Sequence, residues 1–360
     1  MSGARGSVTM GPYRVVQWST GNVGRRSLRA LIDHPELELV GVYVHGADKV
    51  GQDAGAMADR PPTGVYATDD VEAIIALAPD CVVYTPSQMD VGLVERLLLS
   101  GINVVTTCDF LTGTVRTAER ATFSAAALSG GVTFMGTGFE PGFVNLAAGF
   151  LTGACRSVRS VRLVETLDCT TYAVAEAWTA MGFGQPLDAK VVPIEPHPAD
   201  RGLAYFETLD LIASMLAIEL DSRDGVIERA AATQDLDLGW MKLPRGSVAG
   251  QRRTYRGFVK GRVVVELAIC WTMSDKDLNP QWDDPEGFRI EIEGEPRVEA
   301  TMRYALPECA ELSDETNVMS LLMVGTAMSA VHAVPFVCAA QPGVTTPAQL
   351  PVFGARHSVI

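Results

Sequence analysis

The segment that most constrains this chain lies near its start. There the apolar run Tyr13–Trp18 passes through Ser19-Thr20-Gly21-Asn22-Val23-Gly24 into an amphipathic stretch over 25–32. That order predicts a strand, a glycine turn and a helix. The turn is a GxGxxG pattern with Ser19 in place of the first glycine. Gly21 lets the backbone approach a pyrophosphate, Gly24 lets helix and strand pack closely, and the helix N-terminus offers unpaired N–H groups to an anion. A tight turn that binds nothing is the alternative, and the position in the first βαβ unit argues against it.

The alternation continues. Strands are expected at 37–44, 81–85, 103–107 and 132–136, and helices at 71–78, Val91–Leu99 and 118–128. Repeated β-α-β with buried strands predicts an α/β fold, a Rossmann-type doubly wound parallel sheet over 13–142 behind a mobile tail at 1–12. Beyond Gly142 the texture changes. Strands are expected at 161–166, 254–259, Arg262–Thr272, 288–293 and 297–305, the last four joined by short turns as in an antiparallel sheet. With helices near 174–181 and 203–220 and a loop over 193–201, this makes a second α+β domain, 143–312, for substrate and dimerisation. Residues 313–360 read as a C-terminal helix and a segment returning toward the first domain.

Composition narrows the function. The net charge is −14, with no basic cluster, which excludes nucleic acid and an anionic membrane surface as partners. The seven cysteines form no CxxC pair and sit mostly in apolar runs, as reduced cysteines of a cytoplasmic enzyme do. With five histidines and no HxxH, no metal site is expected. The first residues lack the apolar core of a signal peptide. The apolar run 318–340 is long enough to span a bilayer. It carries Ser320, Thr326, Ser329, His332 and Pro335, so it reads as a buried helix that Ser313, Asp314 and Glu315 start and Pro335 stops.

Cofactor preference is read from the second strand, which ends Tyr43-Val44-His45-Gly46 without the usual acidic residue for a ribose. His45, Lys49, Arg25 and Arg26 favour a 2′-phosphate, hence NADP(H), while Asp48 keeps NAD(H) open. Thr85-Pro86-Ser87, at the end of the third strand, is expected to cover the cofactor, as is Cys108. Two more strand ends, Thr106 to Phe110 and Gly136 to Phe143, bring Asp109 and Glu140 to the expected nicotinamide.

At these residues the chain resembles the 2,4-diaminopentanoate dehydrogenases and native amine dehydrogenases, whose fold is like that of dihydrodipicolinate reductase. STGNVG, GINVVTTCDF, GTGFEPGF and SAVHAVPFVCAAQPGV carry the resemblance. It implies reductive amination of small carbonyl compounds with NAD(P)H and ammonia, and oxidation of amines in reverse. It also implies a carboxylate after the NVVTT strand that serves the amine. Asp109 holds that place, one methylene shorter than the family's usual Glu. Glu140 and His332 stand where Asn is more familiar, which leaves open whether Asp109 or Glu140 is the main acid/base. A carboxylate can bind ammonium, relay a proton to the departing hydroxyl and stabilise an iminium. The plainer roles are a helix N-cap before Leu111 for Asp109 and a surface carboxylate for Glu140.

The paired histidines and lysine of dihydrodipicolinate reductase have no counterpart in 164–172. Phe143, Asn145, Thr171, Tyr172 and Trp178 are the substrate candidates, with Met181 and Phe183. They suggest a small apolar ketone or aldehyde, although Trp178 and Met181 at i,i+3 also suit a plain core. A homodimer is expected from the open sheet. Two other readings remain: a carbonyl or alcohol oxidoreductase that needs no ammonia, and a regulator that senses the dinucleotide without turnover.

Overall fold

The computed structural model describes residues 12–188, 191–194, 203–308 and 315–356. The expected tail up to residue 11, Ser313, Asp314 and residues 195–201 of the expected loop lie outside them. Pro193 and Ile194 belong to a strand.

The first domain alternates β1 (Tyr13–Trp18), α1 (Asn22–Asp33), β2 (Leu37–Tyr43), α2 (Ala54–Met57), β3 (Ala67–Thr68), α3 (Val71–Ala76), β4 (Cys81–Tyr84), α4 (Val91–Leu99), β5 (Asn103–Thr106), α5 (Thr117–Gly130) and β6 (Thr133–Gly136). Its strands are all parallel, in the order β6-β5-β4-β1-β2-β3. Val82, Val83, Val104 and Val105 are fully buried, as strands covered on both faces must be. The order reverses between β1 and β4, and such a switch point opens a crevice at the strands' C-terminal ends.

The second domain adds α6 (Val144–Leu151), β7 (Ser157–Asp168), α7 (Ala175–Ala180), β8 (Val191–Ile194), α8 (Leu203–Met215), β9 (Ser222–Ala232), β10 (Leu236–Asp237), β11 (Lys242–Leu243), β12 (Val248–Val259), β13 (Arg262–Thr272), β14 (Leu278–Asn279), β15 (Gly287–Glu295) and β16 (Val298–Met302). Its large sheet is mixed, in the order β14-β9-β12-β13-β7-β15-β16. The expected run of four antiparallel neighbours is broken. β12–β13 and β15–β16 are hairpins, but β7 lies between them, parallel to β13 and antiparallel to β15. Strand β9 was not foreseen because its sequence, SRDGVIERAAA, has neither clean alternation nor many β-branched residues. The helix expected over 203–220 stops at Met215, and Ala217 follows with φ +53°.

The long apolar run forms α9 (Val318–Val331) and α10 (Val334–Cys338). Pro335 does not stop a helix. It sits in the first turn of α10, where its missing N–H costs no bond. Met319, Leu322, Ala327, Ala330 and Val331 are buried. Val331, Val334 and Val337 join Val15, Val83 and Val105 of the first sheet in one core cluster. Arg26 of α1 pairs with Glu315 just before α9. The chain then adds β17 (Gly343–Thr345) in parallel to the edge strand β6.

Candidate active site

The loop after β1 is built as a phosphate cradle. Gly21 caps α1 with no side chain bonded to the first N–H groups, so they remain available to an anion. A Cβ on Gly21 would meet nothing within 4 Å, so the space above it is open. A Cβ on Gly24 would lie 2.2 Å from Ser19 O and 2.8 Å from Thr85 Oγ1. The helix therefore touches the strand end only because residue 24 is glycine. Beneath the loop, buried Gln17 donates from Nε2 to Ser19 O and to Thr85 Oγ1, both at 2.8 Å, while its Oε1 accepts from Ser27 Oγ at 2.5 Å. The Thr85 hydroxyl also donates to Trp18 O at 3.0 Å, which pins the ends of β1 and β4 together. Gln17 carries no motif signature and is missed by pattern reading.

Ser19, at the fingerprint's first glycine position, holds φ +77°. An L-residue in that left-handed conformation costs about 1 kcal/mol. Ser19→Gly should raise unfolding stability by about that amount in urea titration. An unchanged midpoint would show that the hydroxyl repays the strain.

Around this loop, Lys49 Nζ donates to Thr20 Oγ1 at 3.2 Å. His45 is exposed against the edge of Tyr43. Arg25 is half-exposed with Asp59 at 3.5 Å. These cations, the glycine cradle and the uncapped helix end fit the pyrophosphate and ribose of a nicotinamide dinucleotide. Asn22 and Val23 open α1.

A cleft of about 970 Å³ runs along the ends of β4, β5 and β6, from Ser87 toward the second sheet. Ser87, Cys108, Asp109 and Glu140 line it, so the two candidate acids share one cavity. Pro86 accepts from the Cys108 thiol at 3.2 Å, and burial pushes that thiol up to about 11, so it is neutral. Phe143, Asn145, Thr171, Tyr172 and Trp178 do not line the cleft. Thr171 is exposed and Phe143 is 45% exposed. Trp178 is buried, donates to Tyr172 O at 2.9 Å and packs edge-on to Tyr172, Phe183 and Trp271. The aromatic wall comes instead from Phe139, Tyr205, Phe206, Tyr255 and Trp271, with Met181.

Asp109 caps no helix at Leu111, since the next one in sequence begins at Thr117, but it serves the first turn of α8. Its Oδ1 accepts from Ala204 N–H at 2.9 Å, and its Oδ2 pairs with Arg116. One third of its side chain stays exposed to the cleft side. The loop behind it is clamped by Glu207 of α8, fully buried, whose Oε2 accepts the N–H groups of Leu111, Thr112 and Gly113 at 2.8–2.9 Å. Its Oε1 takes those of Val115 and Arg116 at 3.3 Å. The second domain thus positions the acid of the first. Glu207 lies in a helical run with no local sign of this role.

Glu140 is in a different state. The residue is half-buried, yet both carboxylate oxygens are out of water and without a hydrogen-bond partner. Burial drives its pKa well above the usual range, the charge of Glu165 adds to the rise, and the Asn145 amide opposes it. Asn145, fully buried, accepts from Gly142 N–H at 2.6 Å, which fixes the turn carrying Glu140. Glu165, on β7, is 4% exposed, and its Oε1 accepts from Trp271 Nε1 at 2.7 Å. Burial pushes Glu165 up to about 7 against that bond. Two such carboxyls cannot both ionise cheaply, so the pair carries a proton near neutrality.

This has a stability consequence with a definite sign. Glu165 rises from 4.5 to about 7 on folding, so its contribution is full below the lower value and is lost as pH climbs through the upper one. The loss is about 3 kcal/mol at 1.36 kcal/mol per unit. Urea titrations from pH 4.5 to 8 should show the wild type losing stability relative to Glu165→Gln by that order. Parallel curves would mean that Glu165 ionises as freely folded as unfolded.

Comparison with known proteins identifies the relatives of this chain. The family model of the 2,4-diaminopentanoate dehydrogenase C-terminal domain matches residues 145–359. An amine dehydrogenase of Streptomyces virginiae is 31% identical over 357 residues, covering 94% of this chain and 96% of its own. A 4-hydroxy-tetrahydrodipicolinate reductase of Rhodopseudomonas palustris is 25% identical over 238 residues, 66% of this chain and 78% of its own. The solved amine dehydrogenase from Mycobacterium smegmatis shares the fold at a TM-score of 0.73 and 21% identity, over 96% of this chain and 97% of that one. The chain belongs to the family of amine dehydrogenases and 2,4-diaminopentanoate dehydrogenases, and it is a nicotinamide-dinucleotide-dependent oxidoreductase.

Proposed function

We propose that this protein is an NAD(P)H-dependent amine dehydrogenase. It reductively aminates small ketones and aldehydes with ammonia and, in reverse, oxidises primary amines. The observation that carries this reading is the pair of acids, Asp109 and Glu140, in one cleft at the C-terminal edge of the sheet whose first strand ends in the cradle. The dinucleotide supplies the hydride when bound. Asp109, partly exposed and oriented by Ala204 N–H and Arg116, holds the ammonium and stabilises the cationic iminium at its carboxylate. A carboxyl here moves the proton that lets the carbonyl oxygen leave as water. Glu140, neutral beside Glu165, keeps a second proton at hand without adding charge to the cleft. The aromatic wall excludes water from the reacting carbon.

Lys49 at the phosphate loop and exposed His45 favour NADP(H), with Asp48 leaving a route for NAD(H). The cysteines among the described residues are all free thiols, which suits the cytoplasm. The broad second sheet suits a homodimer, readable by light scattering. The reaction is tested by NADPH oxidation with a panel of ketones and aldehydes, with and without ammonia. A rate that needs ammonia supports the reading. A rate without ammonia makes the protein a carbonyl reductase, and no rate with any substrate favours a dinucleotide sensor.

A further inference from the structure

We propose that Glu119 is a positioning residue for ammonium, taking over Arg116 when the ammonium claims Asp109. The inference rests on the amination reading above and adds how the ammonium site is freed. Arg116, Glu119 and Asp109 all line the cleft. The Arg116 side chain, 14% exposed, bridges the two acids. Its Nη2 donates to Asp109 Oδ2, and its Nη1 donates to Glu119 Oε1 at 3.3 Å. Each carboxylate thus engages a single nitrogen, and neither contact is the two-pronged fork that a guanidinium makes with its best partners. Arg116 Nε is out of water and has no hydrogen-bond partner. The guanidinium is shared between two acids and committed to neither.

Charge and geometry favour an exchange. The two carboxylates and the guanidinium together carry one negative charge, which a single ammonium neutralises. An ammonium that donates to Asp109 Oδ2 takes the place of Nη2 and repels the guanidinium. Glu119, in the first turn of α5, is three residues from Arg116 and already holds Nη1. Closing on Glu119 keeps a partner for a largely buried cation that is costly alone. The backbone need not move. Glu207 holds the Arg116 N–H, and Ala204 N–H holds Asp109 Oδ1. Without the charge of Glu119, ammonium could reach Asp109 only by stranding the guanidinium. The plainer role of Glu119 is to favour the N-terminus of α5, as acids in a first turn do. That role bears on stability and leaves ammonia untouched.

The test is Glu119→Gln, which keeps the side-chain length and suits the first turn of a helix. KM for ammonia should rise about tenfold, while KM for the carbonyl substrate and kcat at saturating ammonia stay within about threefold. Glu119→Asp should recover part of the loss, because it restores the charge. Calorimetric titration of pentylammonium into the NADPH-loaded enzyme reads the same site without turnover, since the reduced dinucleotide accepts no hydride. Affinity should fall about tenfold in Glu119→Gln. Equal ammonia KM and equal pentylammonium affinity in the two proteins would overturn the exchange. So would ammonia and carbonyl KM rising together, or no pentylammonium binding to the wild type. A variant that only unfolds earlier in urea would leave Glu119 its helix role alone. Pentylammonium affinity that depends on Glu119, in a protein that turns over no carbonyl, would keep the exchange and remove the reaction. Ammonia-dependent turnover by Glu119→Gln at the wild-type ammonia KM would do the reverse.

Discussion

Asp109→Asn should lower kcat for amination by about a thousandfold while leaving dinucleotide affinity within about threefold of the wild type. The substitution keeps an oxygen for the Ala204 N–H and removes only the charge and the proton-accepting site. Arg116 loses one partner but retains Glu119 at 3.3 Å, so the loop should stay in place, also held by the five N–H bonds to Glu207. The acid lies at the end of β5, two strands from the cradle, so cofactor binding should not register its loss. Stopped-flow amination and fluorescence titration with NADPH separate the two quantities. A kcat near wild type would assign the proton to Glu140, whose buried, neutral carboxyl is the other candidate. In that case Glu140→Gln should show the thousandfold loss instead. A loss shared by kcat and dinucleotide affinity would mean that the loop had moved.

What pattern reading recovers here is what local chemistry encodes. The strand, glycine turn and helix at the start, and the acids at two strand ends, announce themselves because phosphate approach needs particular residues at fixed spacing. Asp109 and Glu140 could be placed at one crevice because parallel strands put all their C-terminal ends on one side. The substrate wall was less legible. Trp178 has the composition of a pocket residue but spends its ring in the core and its N–H on Tyr172 O. Arg253 and Trp271 line the cleft, with Glu165 bonded to Trp271 behind it, through the pairing of β12, β13 and β7, a register set by long-range contacts. Glu207 is more extreme, since nothing in a helical stretch reveals that its carboxylate will receive a loop 90 residues or more away. The unforeseen β9 and the inserted β7 have the same origin, because strand order depends on tertiary pairing, whereas period and turns are local.

Gly21→Val should weaken dinucleotide binding by about 100-fold or more while costing at most about 1 kcal/mol of stability, the N-cap preference alone. Gly21 has φ −76°, which any residue adopts, and an added Cβ meets nothing within 4 Å. The side chain would occupy only the space that a pyrophosphate must enter. Gly24→Ala should behave in the opposite way. Its Cβ would lie 2.2 Å from the Ser19 carbonyl oxygen, and neither helix nor strand end can yield, because Gln17 and Thr85 hold the loop from below. A stability loss of about 2 kcal/mol is expected there from overpacking, with weaker binding as its consequence. Isothermal titration with NADPH and NADH, beside urea unfolding of each variant without ligand, distinguishes a blocked cradle from a broken one. If Gly21→Val binds like the wild type, the dinucleotide does not sit on this turn. If it unfolds early, the space above Gly21 is not open to a side chain, and the binding loss would say nothing about the cofactor. The two glycines differ by three positions in one motif, and the fold assigns one to the ligand and the other to itself.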